Sequence, residues 1–255
     1  MSGECIGFYK SKRYKAIIAY DGTDYYGWQE QLDRPTVVGV LQQTFKKVFK
    51  RDVKLFAASR TDAGVHAFGQ VATFVIDFDI EPEILLKAWN SKLPVAISIR
   101  SLSEVLFTFN PHHSIVEKTY QYAIVRERPL PSDARFVWYY PRNFDDKKLQ
   151  DCLRLFVGEH DFRSFCSSDY TGNTVRRVCS ISLEQVETRY CITFKAPGFL
   201  RYMIRRIVGA SLYVASHRGF SLDNLKKILD ARNPEHTLES APACGLTLVD
   251  IAYRN

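Results

Sequence analysis

The chain has 255 residues, 46% of them hydrophobic and 25% charged, with a formal net charge of +7 and a pI near 9.0. That length can bury a full core in one or two domains, and the composition is that of an ordinary globular protein. No apolar run approaches the roughly 20 residues that cross a bilayer, so no membrane association is expected, and the basic excess, carried mostly beyond Glu104, suits a polyanionic partner without requiring one.

Residues 1–12 are polar and are expected to form a flexible N-terminus. Met1 to Lys15 holds no apolar stretch of the kind a secretory signal needs, and a cytoplasmic protein is expected. The six cysteines, Cys5, Cys152, Cys166, Cys179, Cys191 and Cys244, contain no C-x-x-C pair. Structural zinc needs close, paired ligands, so no metal is expected, and the cysteines read as reduced core residues.

Arg13 to Tyr20 alternates, with Tyr14, Ala16, Ile18 and Tyr20 on one face, and predicts a strand. The turn signal Asp21-Gly22-Thr23-Asp24 follows. Next comes Tyr25-Tyr26-Gly27-Trp28-Gln29-Glu30-Gln31, in which aromatics stand beside glycine and amides. Such a loop suits base stacking and hydrogen bonding to RNA, although aromatics packed beneath a loop fit equally well. Thr36 to Phe49 carries Val37, Val40, Leu41, Thr44, Phe45, Val48 and Phe49 at helical spacing, with lysines near its end where the helix dipole favours cations.

Ala57-Ala58-Ser59-Arg60-Thr61-Asp62-Ala63-Gly64-Val65-His66-Ala67-Phe68-Gly69-Gln70 is a stretch of small residues that holds a charged pair, Arg60 and Asp62. Small residues and glycine let a backbone or ligand approach closely. The β-branched and aromatic run Val71 to Phe78 predicts a strand, so the pair sits on a loop fed into a sheet, where chemistry is often placed. On residues alone, a turn stabilised by an Arg–Asp ion pair is the alternative. Glu81 to Ser91 predicts a short helix with Pro82 in its first turn. Val95 to Arg100 and Leu102 to Phe109 read as two extended segments, and a domain boundary is expected near Phe107 to Pro111.

In Phe109-Asn110-Pro111-His112-His113-Ser114 the adjacent histidines point opposite ways if extended, and no further ligand lies nearby, which argues against a metal. Glu117 to Val125 predicts a strand with Tyr120 and Tyr122 on one face. Arg126 to Pro141 reads as an irregular connection, and Asp145 to Phe156 as a helix with Leu149, Cys152, Leu153 and Phe156 inward. Gly158 to Phe165 reads as a structural segment. Val175 to Val178 begins a strand, and Arg189 to Lys195 alternates again, which suggests an antiparallel pair. From Gly198, an unbroken stripe of Leu200, Met203, Ile204, Ile207, Val208, Ser211, Leu212 and Ala215 predicts a core-facing helix. Arg201 and Arg205, four apart, would project together from its flank, and Arg206 reads as solvated. Leu222 to Leu229 marks a last helix, and Ala241 to Leu248 leads into a closing strand.

Five of these segments together resemble the TruA family of tRNA pseudouridine synthases. They are Tyr-Asp-Gly-Thr-x-Tyr-x-Gly-Trp-Gln-x-Gln from Tyr20, Arg-Thr-Asp-Ala-Gly-Val-His-Ala from Arg60, Tyr-x-Tyr at Tyr120, Gly-Phe-Leu-x-x-Met-x-Arg from Gly198, and Ala-Pro-Ala-x-Gly-Leu-x-Leu from Ala241. The resemblance runs from Tyr14 to Tyr253. Ser59 stands where the family usually has glycine, and His112-His113 where it has Arg-Phe. The resemblance implies an α+β fold of two ferredoxin-like lobes, 13–106 and 107–255, with joined antiparallel sheets, helices on one side and an active cleft between the lobes. It implies conversion of uridine to pseudouridine at positions 38, 39 and 40 of the tRNA anticodon stem-loop by a homodimer.

The resemblance also assigns roles. Asp62 is the implied nucleophile, Arg205 its partner, Tyr120 the face that stacks on the target uracil, and Arg60 the wedge that fills the gap left by the base. Tyr26, Trp28, Gln29, His66, Gln70, Lys118 and Arg201 are the expected RNA contacts. The chemistry fits these residue types. The C1′–N1 bond is cut, the uracil turns, and it rejoins through C5, so no redox change, metal or cofactor is needed. One carboxylate suffices if it stays ionised, and a guanidinium can hold it so. The base must leave its stack at a cost of a few kcal/mol, which an aromatic face offsets by about 1–3 kcal/mol. The alternative is a catalytically silent tRNA-binding protein on the same scaffold, against which Asp62 argues, because a pure binder has no need of a carboxylate facing phosphate.

Overall fold

A computed structural model describes residues 11–236 and 238–254. Eleven strands and five α-helices follow one another as β1 (Lys12–Tyr20), α1 (Val37–Phe49), β2 (Phe56–Ala57), β3 (His66–Ile76), α2 (Pro82–Asn90), β4 (Ile97–Val105), β5 (Ile115–Val125), β6 (Trp138–Tyr139), α3 (Asp146–Arg154), β7 (Gly158–Asp161), β8 (Val175–Val178), β9 (Ser180–Val186), β10 (Arg189–Ala196), α4 (Met203–Ser216), α5 (Leu222–Ala231) and β11 (Leu246–Tyr253). The expected flexible N-terminus lies outside the described residues except for Ser11 and Lys12, and Lys12 already belongs to β1.

One large mixed sheet runs in the order β4-β1-β3-β11-β5-β10-β9, while β7 and β8 form a small sheet of their own. Its buried face is continuous. Tyr14 pairs with Phe74 and Ala16 with Ala72 across β1 and β3. Leu248 pairs with Tyr120 across β11 and β5, and Phe194 with Tyr120 across β10 and β5. All of these side chains lie in one core cluster with Leu41, Phe45 and Trp89 of α1 and α2 and Met203, Ile207 and Val208 of α4. Alternation along each strand supplies this face.

One seam of the sheet is parallel. The last strand, β11, lies parallel to β3 over Thr247–His66 and Leu248–Ala67, and antiparallel to β5. Gly69 makes the seam possible, because a Cβ there would stand 2.4 Å from the Val249 carbonyl oxygen. The two extended segments expected at 95–109 are also one strand. β4 pairs with β1 through a register shift between Ile17–Ser101 and Ile18–Ile99, so Arg100 is the extra residue of a bulge that breaks the alternation but not the strand. β4 ends at Val105. A turn closed by the Phe109 N–H on the Leu106 carbonyl follows.

Thr36 caps α1 by accepting from the Gly39 N–H. The stripe of α4 is buried as expected. Arg206 is not solvated, for its guanidinium donates to the Ser164 and Cys166 carbonyls and pins α4 to that segment. Among the described cysteines only Cys152 and Cys166 are buried. Cys179 is exposed, and Cys191 and Cys244 are half-buried, so core burial holds for two of them. Among the described residues no helix is long and apolar enough to cross a membrane.

Candidate active site

The loop between β2 and β3 is held by main-chain contacts. The Trp28 N–H donates to the Thr61 carbonyl and the Gly64 N–H to the Tyr25 carbonyl. Gly27 lies against this loop at φ +82°, where a Cβ would be 2.4 Å from Thr61 O and 3.0 Å from the Asp62 carbonyl carbon. The Tyr25–Trp28 loop and the Asp62 loop thus meet backbone to backbone, an approach that only glycine permits.

Gln70 holds the other side. Its amide donates to the Ser59 carbonyl at 2.7 Å and accepts from the Ser59 N–H at 3.3 Å. It also donates to the Tyr20 hydroxyl, which bonds Thr61 Oγ1 at 2.8 Å. Gln70 is fully buried, so it braces the loop rather than touching RNA. His66 is likewise buried; its Nδ1 accepts from the Gly22 N–H, and its ring packs on Phe136 at 4.7 Å. Trp28 is 2% exposed and packs beside Tyr20. The expectation of direct RNA contact therefore fails for Trp28, His66 and Gln70, because each fills the core beneath the loop.

Asp62 faces the start of α4. Arg201 Nε stands 3.8 Å from Oδ1 and Arg205 Nη1 3.9 Å from Oδ2. Each guanidinium attends one oxygen from beyond hydrogen-bond range, so neither grips both oxygens in a fork. Arg201 lies before the helix rather than on its flank. The chain turns at Tyr202, whose φ of +67° is unusual for a residue with a side chain and stores strain at this spot. α4 starts directly after it, so the positive end of the helix also faces the acid. Arg205 is fixed by donating Nε–H to the Ala241 carbonyl at 2.8 Å. Burial pushes the Asp62 carboxyl above its ordinary range, against the pull of Arg205, then Arg201, then the Tyr202 N–H.

Tyr120 is 6% exposed. Its hydroxyl lies 3.0 Å from Ser59 Oγ, and its ring meets Phe199 edge-on at 5.4 Å. Burial pushes its phenol up to about 12. Lys118, two residues earlier on the same strand face, donates to the Ala58 carbonyl at 2.9 Å and to Ser59 Oγ at 3.1 Å. Burial alone pulls its ammonium down to about 8.

These groups line one cleft of about 850 Å³. Arg60, Asp62, Lys118, Tyr120, Arg201 and Arg205 all reach it, with Tyr26 and Gln29 at its rim. Tyr26 is exposed and carries the Arg34 guanidinium over its ring at 4.7 Å. Arg60 is exposed. His112 lines the cleft too, and burial pulls its imidazole below its ordinary value, helped by nearby Lys118 and Arg60. Ser59, Phe199 and Tyr202 were not expected at the site. Ser59 could have been found from its departure from the usual glycine and Phe199 from its place in the Gly-Phe-Leu segment, whereas nothing local marks Tyr202.

The family model described as "tRNA pseudouridine synthase" matches residues 16–112 and 153–254. A protein named tRNA pseudouridine synthase A from Thermodesulfovibrio yellowstonii is 35% identical over 252 residues, covering 94% of this chain and 98% of its own. Proteins of the same name from Caldicellulosiruptor saccharolyticus and Brevibacillus brevis are 38% identical over 92% of this chain and 97% of theirs, and 36% identical over 95% of this chain and 100% of theirs. A solved Cbf5-Nop10-Gar1 complex superimposes at 13% identity with a TM-score of 0.36, covering 79% of this chain and 46% of that one.

Proposed function

This chain belongs to the tRNA pseudouridine synthase family and isomerises uridine to pseudouridine in tRNA, and from that premise we propose that Asp62 carries the reaction at positions 38, 39 and 40 of the anticodon stem-loop. The observation that carries this reading is the meeting of one carboxylate, two guanidiniums and a buried tyrosine in a single cleft.

The proposed steps combine the roles the resemblance implies with the geometry of the cleft. A uracil extruded from its helix enters the cleft and lies against the Tyr120 ring, which offsets part of the cost of leaving the stack. Arg60, exposed at the rim, fills the vacated space and holds phosphate. Asp62 then acts on the reacting nucleotide, either attacking it or stabilising a cationic sugar as the C1′–N1 bond breaks. Desolvation opposes its ionised form, and Arg205, Arg201 and the end of α4 oppose desolvation. Incoming phosphate and closure of the two guanidiniums onto the acid would tighten contacts that are long in the free protein. Tyr26 with Arg34, and Gln29, form an outer platform for a neighbouring nucleotide. The resemblance also supports a homodimer with tRNA lying across both copies, which sedimentation of the free protein tests.

Carbodiimide primer extension on tRNA from cells with and without this protein tests the site assignment. Stops at positions 38, 39 and 40 that vanish without the protein support it. Stops that vanish elsewhere, with these three retained, would move the target.

A further inference from the structure

Ser59 holds the Tyr120 hydroxyl at 3.0 Å and accepts from Lys118 Nζ at 3.1 Å, so three polar groups form a chain along the wall of the cleft. We propose that Lys118 takes up the C5 proton of the target uracil through Tyr120 and Ser59, which makes Ser59 and Lys118 positioning residues for proton transfer rather than RNA contacts. This rests on the placement of Tyr120 against the uracil given above.

The chain of groups is suited to that task. Lys118 and Tyr120 alternate on one face of β5, which brings both under the Asp62 loop. Lys118 has no ion-pair partner among the described residues. Its ammonium is therefore buried without a counter-charge, and burial brings it down to about 8, so an unprotonated amine is within reach near neutral pH. Tyr120 on its own could not act as the base, because its phenol is pushed up to about 12. The charged and titratable groups that line the cleft with Lys118 are Tyr120 on its own strand, Arg60 and Asp62 from the loop, His112 from the segment before β5, Arg201, Tyr202 and Arg205 around the start of α4, and Tyr26, Arg34 and Tyr170.

The step balances. After C1′ has joined C5, the C5 proton passes to the Tyr120 oxygen and its electron pair returns to the ring. Tyr120 passes its phenol proton to Ser59 Oγ, and Ser59 passes its own to the unprotonated Lys118 amine. Phenol and alcohol end neutral, and Lys118 ends as ammonium. N1, which kept the electron pair of the broken C1′–N1 bond, takes a proton from water, and Lys118 returns one to water. The product is an isomer of the substrate and the enzyme is unchanged.

The test is single-turnover tritium release from tRNA labelled at uracil C5, followed from about pH 6 to about pH 10. Wild-type release should rise with pH and level off above about 8. Lys118→Arg keeps the cation and its donors but never deprotonates. It should bind tRNA within about threefold of wild type, release tritium about a hundredfold more slowly, and lose the rise. Ser59→Ala should show the same loss, with Ser59→Thr restoring both rate and pH dependence. A wild-type profile in Lys118→Arg or Ser59→Ala, or a flat wild-type profile, overturns the relay. Absence of turnover by the wild-type protein on any tRNA would instead overturn the reading on which it rests.

Discussion

Gly27→Ala tests whether the Tyr25–Trp28 loop sets the position of Asp62. The new Cβ would stand 2.4 Å from Thr61 O, where ordinary contact begins at 3.4 Å. Thr61 and Asp62 must then retreat by about 1 Å, because the partner is main chain that cannot rotate away. The positive φ of residue 27 adds about 1–2 kcal/mol for any residue with a Cβ, which lowers the melting temperature by about 3–6 °C in a chain of this size. A displacement of about 1 Å at a reacting group costs about a hundredfold in rate. Single-turnover tritium release should therefore fall by about a hundredfold while tRNA retention on filters stays within about threefold. Wild-type release by a folded Gly27→Ala protein would refute the claim that this contact positions the acid.

Three further outcomes are expected. Arg205→Ala should slow turnover far more than it weakens tRNA binding and should move the acid limb of the rate profile to higher pH, since Arg205 is the main group opposing the burial that raises Asp62; a loss confined to binding would make Arg205 a phosphate contact. Trp28→Ala should cost about 3–5 kcal/mol in urea unfolding, whereas Tyr26→Ala should leave stability within about 0.5 kcal/mol and weaken tRNA binding; equal effects on stability would contradict the burial of one and the exposure of the other. Asp62→Asn should melt no lower than wild type at neutral pH. The folded-state pKa of Asp62 lies above its ordinary value, so its contribution to stability is present below that ordinary value and is lost as pH rises through the folded one, leaving a cost at neutrality that the neutral amide removes. A large drop in melting temperature would contradict this.

Elements with a half-buried face were legible in the sequence. Tyr14, Ala16, Ile18 and Tyr20 announced β1, and the stripe from Leu200 to Ala215 announced α4, because local periodicity records which side meets the core. The seam was not legible. β11 pairs with β3 from the far end of the chain, and two residue pairs leave no local mark in either segment. The bulge at Arg100 looks like a break in the sequence, since one extra residue reverses the alternation without ending the strand. At the site, motif resemblance drew attention to Asp62, Tyr120 and Arg205, and the fold brings them to one cleft. Periodicity could not separate Tyr26 from Trp28. Both are aromatics in a glycine-bearing loop, and it is long-range contact, the Trp28 N–H on Thr61 and the Val38 N–H on the Trp28 carbonyl, that holds the second inward. The partner of Ser59 comes from a strand about sixty residues away, a distance at which sequence pattern is silent about hydrogen bonds.

Tritium release from C5-labelled tRNA by Asp62→Asn is the most direct measurement. The amide fills the same space beside Arg201 and Arg205 but carries no charge and cannot serve as nucleophile. No release above background, with tRNA still bound within a few fold, is the result that fits a single ionised acid at the centre of the reaction. Turnover at even a tenth of the wild-type rate would contradict it.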